Sequence, residues 1–139
     1  MNIKFKVEEL AIKFRDLIDD LINSDEVVNI YNFKQRFPTG NCLNAAQMLA
    51  KYFRDNDVNN VTVISGEKIK GNGSHAWVDV DGLIVDITAD QFEEFSYPKV
   101  FVGEESELHK LYKTTLAFQQ NPGGALVGTY FKVIGRKRV

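Results

Sequence analysis

The chain has 139 residues and a net charge of −2, from 17 basic and 19 acidic side chains. It is 44% hydrophobic and 26% charged, a globular balance that argues against disorder, and it lacks the basic excess of a nucleic-acid-binding module. One cysteine excludes an internal disulfide, one Cys with two His argues against a Cys/His zinc site, and no apolar run approaches the ~20 residues of a membrane span.

The opening Met1-Asn2-Ile3-Lys4-Phe5-Lys6 passes straight into an amphipathic pattern, without the apolar core or cleavage site of a signal peptide, so a reducing, cytoplasmic setting is expected. Val7, Leu10, Ala11, Phe14, Leu17, Ile18, Leu21 and Ile22 recur at steps of three and four and predict a first helix. Ser24 is placed to cap a weaker second helix through Val27, Val28, Ile30 and Tyr31. Pro38 disfavours a helical Phe37, and Pro38-Thr39-Gly40-Asn41 reads as a turn opening a third helix. Cys42, Ala45, Ala46, Leu49, Tyr52 and Phe53 share one face of that helix.

Residues 61–65 are β-rich and predict a strand, and residues 66–74, with three glycines, read as a loop. Residues 75–80 and 83–88 flank Asp81-Gly82, a favoured two-residue hairpin turn. Asp90 is placed to cap a turn over residues 91–95, residues 99–102 form a short strand, and residues 108–112 form a helical turn. Residues 121–124 form a turn before a final strand over residues 125–134. Helices followed by about five antiparallel strands predict an α+β fold. Acidic residues dominate the stretch from Asp79 to Glu107, and Lys132, Arg136, Lys137 and Arg138 make the far end basic; both read as solvated surface.

Three residues carry the candidate chemistry. Cys42 opens a helix, where unpaired N–H groups and the helix dipole stabilise a thiolate and a developing oxyanion. His75 lies 33 positions later and is a candidate base for that thiol. A two-residue turn pairs Val80 with Leu83, Trp77 with Asp86 and His75 with Thr88. Side-chain alternation then puts His75, Trp77 and Asp79 on one face with Ile84, Asp86 and Thr88. Asp86 becomes the diagonal neighbour of His75, where a carboxylate fixes the imidazole tautomer and stabilises imidazolium. An aspartate inside Leu83-Ile84-Val85-Asp86-Ile87 also asks for a partner on energetic grounds. Trp77, the only tryptophan, is expected on the His75 face, as a core aromatic or as a shield of the His–Asp contact. His109 has charged neighbours in Glu107-Leu108-His109-Lys110 and reads as a surface residue.

Gly40-Asn41-Cys42 opening a helix, then His75-Ala76-Trp77-Val78 on a strand and Asp86 on the next, resembles the papain-like cysteine peptidase superfamily. The closest likeness is to its compact transglutaminase-like and NlpC-type branches, over residues 37–92. The resemblance implies one papain-like domain over residues 1–139, with a helical part (1–36) and a catalytic core (37–139) whose cysteine helix packs on an antiparallel sheet. It implies a Cys42–His75–Asp86 triad for thiol-dependent acyl chemistry on a peptide or protein substrate, with no metal or organic cofactor. Gln35, seven positions before Cys42, is the candidate side-chain oxyanion donor, and Asn41 and Trp77 are candidate substrate-side residues. The third member is Asp where papain-type enzymes carry Asn. Hydrolysis is the first expectation, because water is always available to an acyl-enzyme. Deamidation or transglutamination by the same triad, and a catalytically silent binding module of the same fold, remain the alternatives.

Overall fold

A computed structural model describes residues 3–135. Its helices are α1 (Ile3–Ile22), the single turn α2 (Phe33–Arg36), α3 (Cys42–Asp55) and α4 (Gly124–Ile134). Its strands are β1 (Val61–Lys68), β2 (Ser74–Val80), β3 (Leu83–Asp86), β4 (Phe101–Gly103) and β5 (Tyr112–Phe118). The strands form one antiparallel sheet in the order β4-β3-β2-β1-β5, and three 3-10 turns complete the α+β architecture.

α1 forms where the stripe predicts it, and Val7, Leu10, Ala11, Phe14, Ile18 and Leu21 are buried. α3 buries Ala45, Ala46, Leu49 and Phe53 at the same helical spacing. Both helices cover the sheet face that carries Val61, Val63, Ala76, Val78, Val80 and Val85, and α4 packs against the two helices. The odd-numbered residues of β2 point the other way, and Trp77 joins a second cluster with Ala89, Leu108 and Tyr112.

Several sequence expectations are corrected. Residues 26–29 are not helical; Ser24 instead accepts the Glu26 N–H and donates to the Leu21 carbonyl, and the next helical turn starts at Phe33. β1 continues to Lys68, through part of the expected loop. A β-bulge falls at Ser65/Gly66, where a Cβ on Gly66 would sit 2.9 Å from the Lys113 carbonyl oxygen. This glycine serves a close backbone approach, not a turn. The sequence does not predict β5, because Tyr112–Phe118 is a largely exposed edge strand without clean alternation.

Residues 125–134 are helical, not a strand. Thr129, Tyr130 and Val133 are buried while Phe131 is 57% exposed, a helical spacing that overrides the β propensity of the segment. The Tyr130 hydroxyl donates to Asp55 and ties α4 to α3. Asp90 caps nothing: it pairs with Arg15, while Thr88 precedes the 3-10 turn at Ala89–Gln91. Arg136, Lys137 and Arg138 of the basic end lie outside the described residues. Among the described residues, no helix is long and apolar enough to cross a membrane.

Candidate active site

The hairpin has the two-residue turn that its Asp-Gly sequence predicts. Val80 pairs with Leu83, Asp79 with Ile84 and Val78 with Val85. Asp81 and Gly82 both take positive φ, as a type I′ turn demands. The register carries His75 and Asp86 to the same face, and His75 Nε2 lies 2.6 Å from Asp86 Oδ2. Both side chains are almost wholly buried.

Pairing between β2 and β3 ends at Val78–Val85, whereas β2 continues back to Ser74 against β1. The start of α3 sits at this split. Cys42, Ala76, Trp77, Asp86, Ile87 and Thr88 line one gap, packed too tightly for a water molecule. The split brings the thiol, on the helix side, to a histidine whose strand neighbour Trp77 belongs to the opposite face. Cys42 itself is half-buried.

Burial alone would hold the His75 ring neutral. The hydrogen bond to Asp86, the interaction with the Cys42 sulfur and the charges of both groups outweigh it and push the ring pKa up to about 9. No hydrogen bond of normal geometry reaches His75 Nδ1, the one buried side-chain nitrogen or oxygen among the described residues without such a partner. One ring nitrogen is therefore held by the carboxylate, and the other is left for the thiol.

Asp86 has more partners than the sequence suggested. Oδ1 accepts from the Thr88 backbone N–H at 2.8 Å and from the Thr88 hydroxyl at 3.3 Å. Oδ2 accepts from His75 and also lies 2.7 Å from His109 Nε2. Burial opposes the charge, but the hydrogen bonds from His109 and His75, together with the charge of His75, hold the carboxyl well below the ordinary carboxylate range.

The surface assignment of His109 is thus overturned: it is 5% exposed and sits in the site. Its charged sequence neighbours misled because His109–Leu111 is a 3-10 turn that points His109 inward and leaves Lys110 exposed. A usable signal was present in Leu108 and Tyr112, apolar residues flanking His109 at spacings that suit one helical turn. Trp77 lies where expected, its ring centroid 5.7 Å from that of His75 and 4.8 Å edge-on from that of His109.

The remaining expected residues sit differently. Asn41 is buried at the start of α3, but its amide is committed to the turn, donating to the Thr39 carbonyl and accepting from Asn44. No side chain caps α3, so its first N–H groups stay available to an anion. Gln35 is exposed on α2 and makes no side-chain hydrogen bond with the described residues. Gln91, not singled out in the sequence, donates to the Thr88 carbonyl and accepts from the Gly40 N–H at 3.4 Å, linking the turn before Cys42 to the loop after Asp86.

His75, Asp86 and His109 place their ligating atoms within 4.8 Å of one another. Two imidazoles and a carboxylate form a set able to hold a divalent transition metal. Hydrogen bonding already satisfies the three groups among themselves, at 2.6 and 2.7 Å. Comparison with protein-family models, curated proteins and solved structures finds no match to this chain.

Proposed function

We propose that this chain is a papain-like, thiol-dependent acyl hydrolase acting on a peptide or amide bond, with Cys42 as nucleophile, His75 as base and acid, and Asp86 as the orienting carboxylate. The observation that supports it most is the division of the His75 ring, with Nε2 on Asp86 and Nδ1 buried, unpaired and beside the Cys42 thiol. The chain order of the three residues and their placement on a helix start and two adjacent strands support the same reading.

In the reaction, His75 Nδ1 takes the Cys42 proton, and the thiolate attacks the carbonyl carbon to form a C–S bond. The oxyanion lies against the free N–H groups at the start of α3. The intermediate collapses with cleavage of the C–N bond, and the leaving amine takes the proton from His75 Nδ1. Water then attacks the thioester carbon and gives a proton to His75. The C–S bond breaks, the acid leaves, and the cysteine–histidine pair is restored.

The test is the pH dependence of Cys42 alkylation by iodoacetamide in the wild type, His75→Ala and Asp86→Ala, followed by a screen of fluorogenic peptide and amide substrates. Fast alkylation at about pH 6, well below the ~8.5 of a free thiol, with the limb moved upward in both variants, is the expected result. Coincident curves, or a thiol inert in the folded protein, would remove the mechanism and leave a binding module of this fold.

A further inference from the structure

His109 is a buried titratable group beside Asp86 that the reaction above does not use. Its two ring nitrogens are both engaged, Nδ1 by Ser106 and Nε2 by Asp86. Ser106 Oγ lies 2.5 Å from His109 Nδ1, 2.7 Å from the Tyr97 hydroxyl and 3.2 Å from the His109 backbone N–H. The Leu108 N–H donates to the Tyr97 oxygen. Ser106 has one proton to donate and two lone pairs to accept with. Every group is satisfied when Tyr97 and the His109 backbone donate to Ser106, and Ser106 donates to Nδ1. Nε2 then carries the ring proton and donates it to Asp86 Oδ2.

We infer that His109 is a positioning residue, a neutral donor locked by Ser106 and Tyr97 that keeps Asp86 ionised and aimed so that His75 presents Nδ1 to Cys42. The inference rests on the thiol reading above and extends it by a residue that touches neither the thiol nor the reacting carbonyl. The physical reason is the cost of a buried carboxylate. Asp86 has no water to solvate it, so each donor it loses favours the neutral acid or a rotated carboxylate. Either outcome releases His75 from its single orientation. The Trp77 ring, edge-on to His109, and the Phe101 ring, stacked on it, hold the imidazole plane.

The experiment reads the iodoacetamide pH profile of Cys42 and the imidazole tautomers by 15N NMR in the wild type, His109→Leu, His109→Gln and Ser106→Ala. The titratable groups facing this cluster are His75 on β2, Cys42 on α3, Tyr97 on the segment before β4 and Tyr112 on β5. Glu104, Glu105 and Lys110 share the outer cavity with His109. His109→Leu removes the donor and is expected to slow alkylation at about pH 6.5 by about tenfold or more, and to lower the pH at which the His75 ring gives up its proton. His109→Gln keeps an N–H within reach of Asp86 and is expected to stay within about threefold of the wild type.

A folded His109→Leu protein with the wild-type profile overturns the inference, and so does a glutamine variant that falls as far as the leucine one. If the leucine variant does not fold, Ser106→Ala decides, because loss of the lock is expected to mix the His109 tautomers and weaken the profile, and an unchanged profile overturns the inference. A wild-type thiol of ordinary pKa defeats the thiol reading itself, whereas an activated wild-type thiol that ignores His109 defeats only this extension. Stoichiometric Zn2+ binding that is lost in His109→Leu would assign the cluster to a metal and overturn the positioning role.

Discussion

A carboxylate with almost no exposed surface keeps its charge only if donors surround it, and Asp86 accepts from His75, His109 and twice from Thr88. Replacing Asp86 by Asn keeps the shape and removes the charge. His75 then loses the partner that most strongly favours its protonated form. Alkylation of Cys42 at neutral pH is expected to fall by on the order of tenfold to a hundredfold in Asp86→Asn, and a rate equal to the wild type would contradict the pairing. The sign of the stability effect follows from the same shift. The folded His75 holds its proton up to about 9, against an ordinary value of 6.5, so its stabilising contribution is full below about 6.5 and is lost as pH rises through about 9. Asp86 acts in the opposite sense: its contribution is full above the ordinary value of 3.8 and is lost as pH falls below it. Urea midpoints should therefore decline from about pH 6.5 to 9 in the wild type, and decline less over that window in His75→Gln.

At the scale of elements, the site depends on where two strands end. β3 stops pairing with β2 at Val85, and the opening it leaves receives the start of α3. β5 delivers Tyr112 to the same region, and its approach to β1 passes over Gly66 with no room for a Cβ. The obstruction is backbone, the Lys113 carbonyl oxygen at 2.9 Å, with Tyr112 Cβ at 3.1 Å beside it. Gly66→Ala is expected to destabilise the fold by about 1–3 kcal/mol and to shift Tyr112. Gly128→Ala is the control: it lies inside α4, nothing lies within 4 Å of its Cβ position, and it should stabilise by up to about 1 kcal/mol. Equal effects of the two substitutions in chemical denaturation would show that the β1–β5 contact is not tight.

Across the whole molecule, Arg15 joins the helical layer to the hairpin that carries His75 and Asp86. It is 4% exposed on α1, donates to both oxygens of Asp90 and to the carbonyls of Ile87 and Lys99, and also bonds Asp19. Ile87 and Asp90 bracket Thr88, which supplies two of the donors to Asp86. The first helix thereby steadies the candidate site without contributing a side chain to the His75–Asp86–His109 cluster. Arg15→Met leaves Asp90 without its partner and is expected to cost about 1–3 kcal/mol, since Asp90 is 21% exposed and takes up water in place of the guanidinium. The double variant Arg15→Met with Asp90→Asn should lose less than the sum of the single losses. Strict additivity in thermal or urea unfolding would show that the pair does not act as a unit.

Local chemistry made much of this molecule legible. The spacing of Phe14 and its neighbours predicted α1, the Asp-Gly turn fixed the hairpin register, and strand alternation brought His75, Trp77 and Asp86 to one face, because these depend on residues close in the chain. The order of helices before an antiparallel sheet was also readable. Which segment forms the outer strand was not: residues 125–134 have strand-like composition, yet the edge is taken by the exposed Tyr112–Phe118 and the later segment packs as α4. The burial of His109 and the pairing of Arg15 with Asp90 were equally hidden. Both join groups far apart in sequence, across 23 and 75 positions, and only the packed sheet and its covering turns bring such side chains together and remove the water between them.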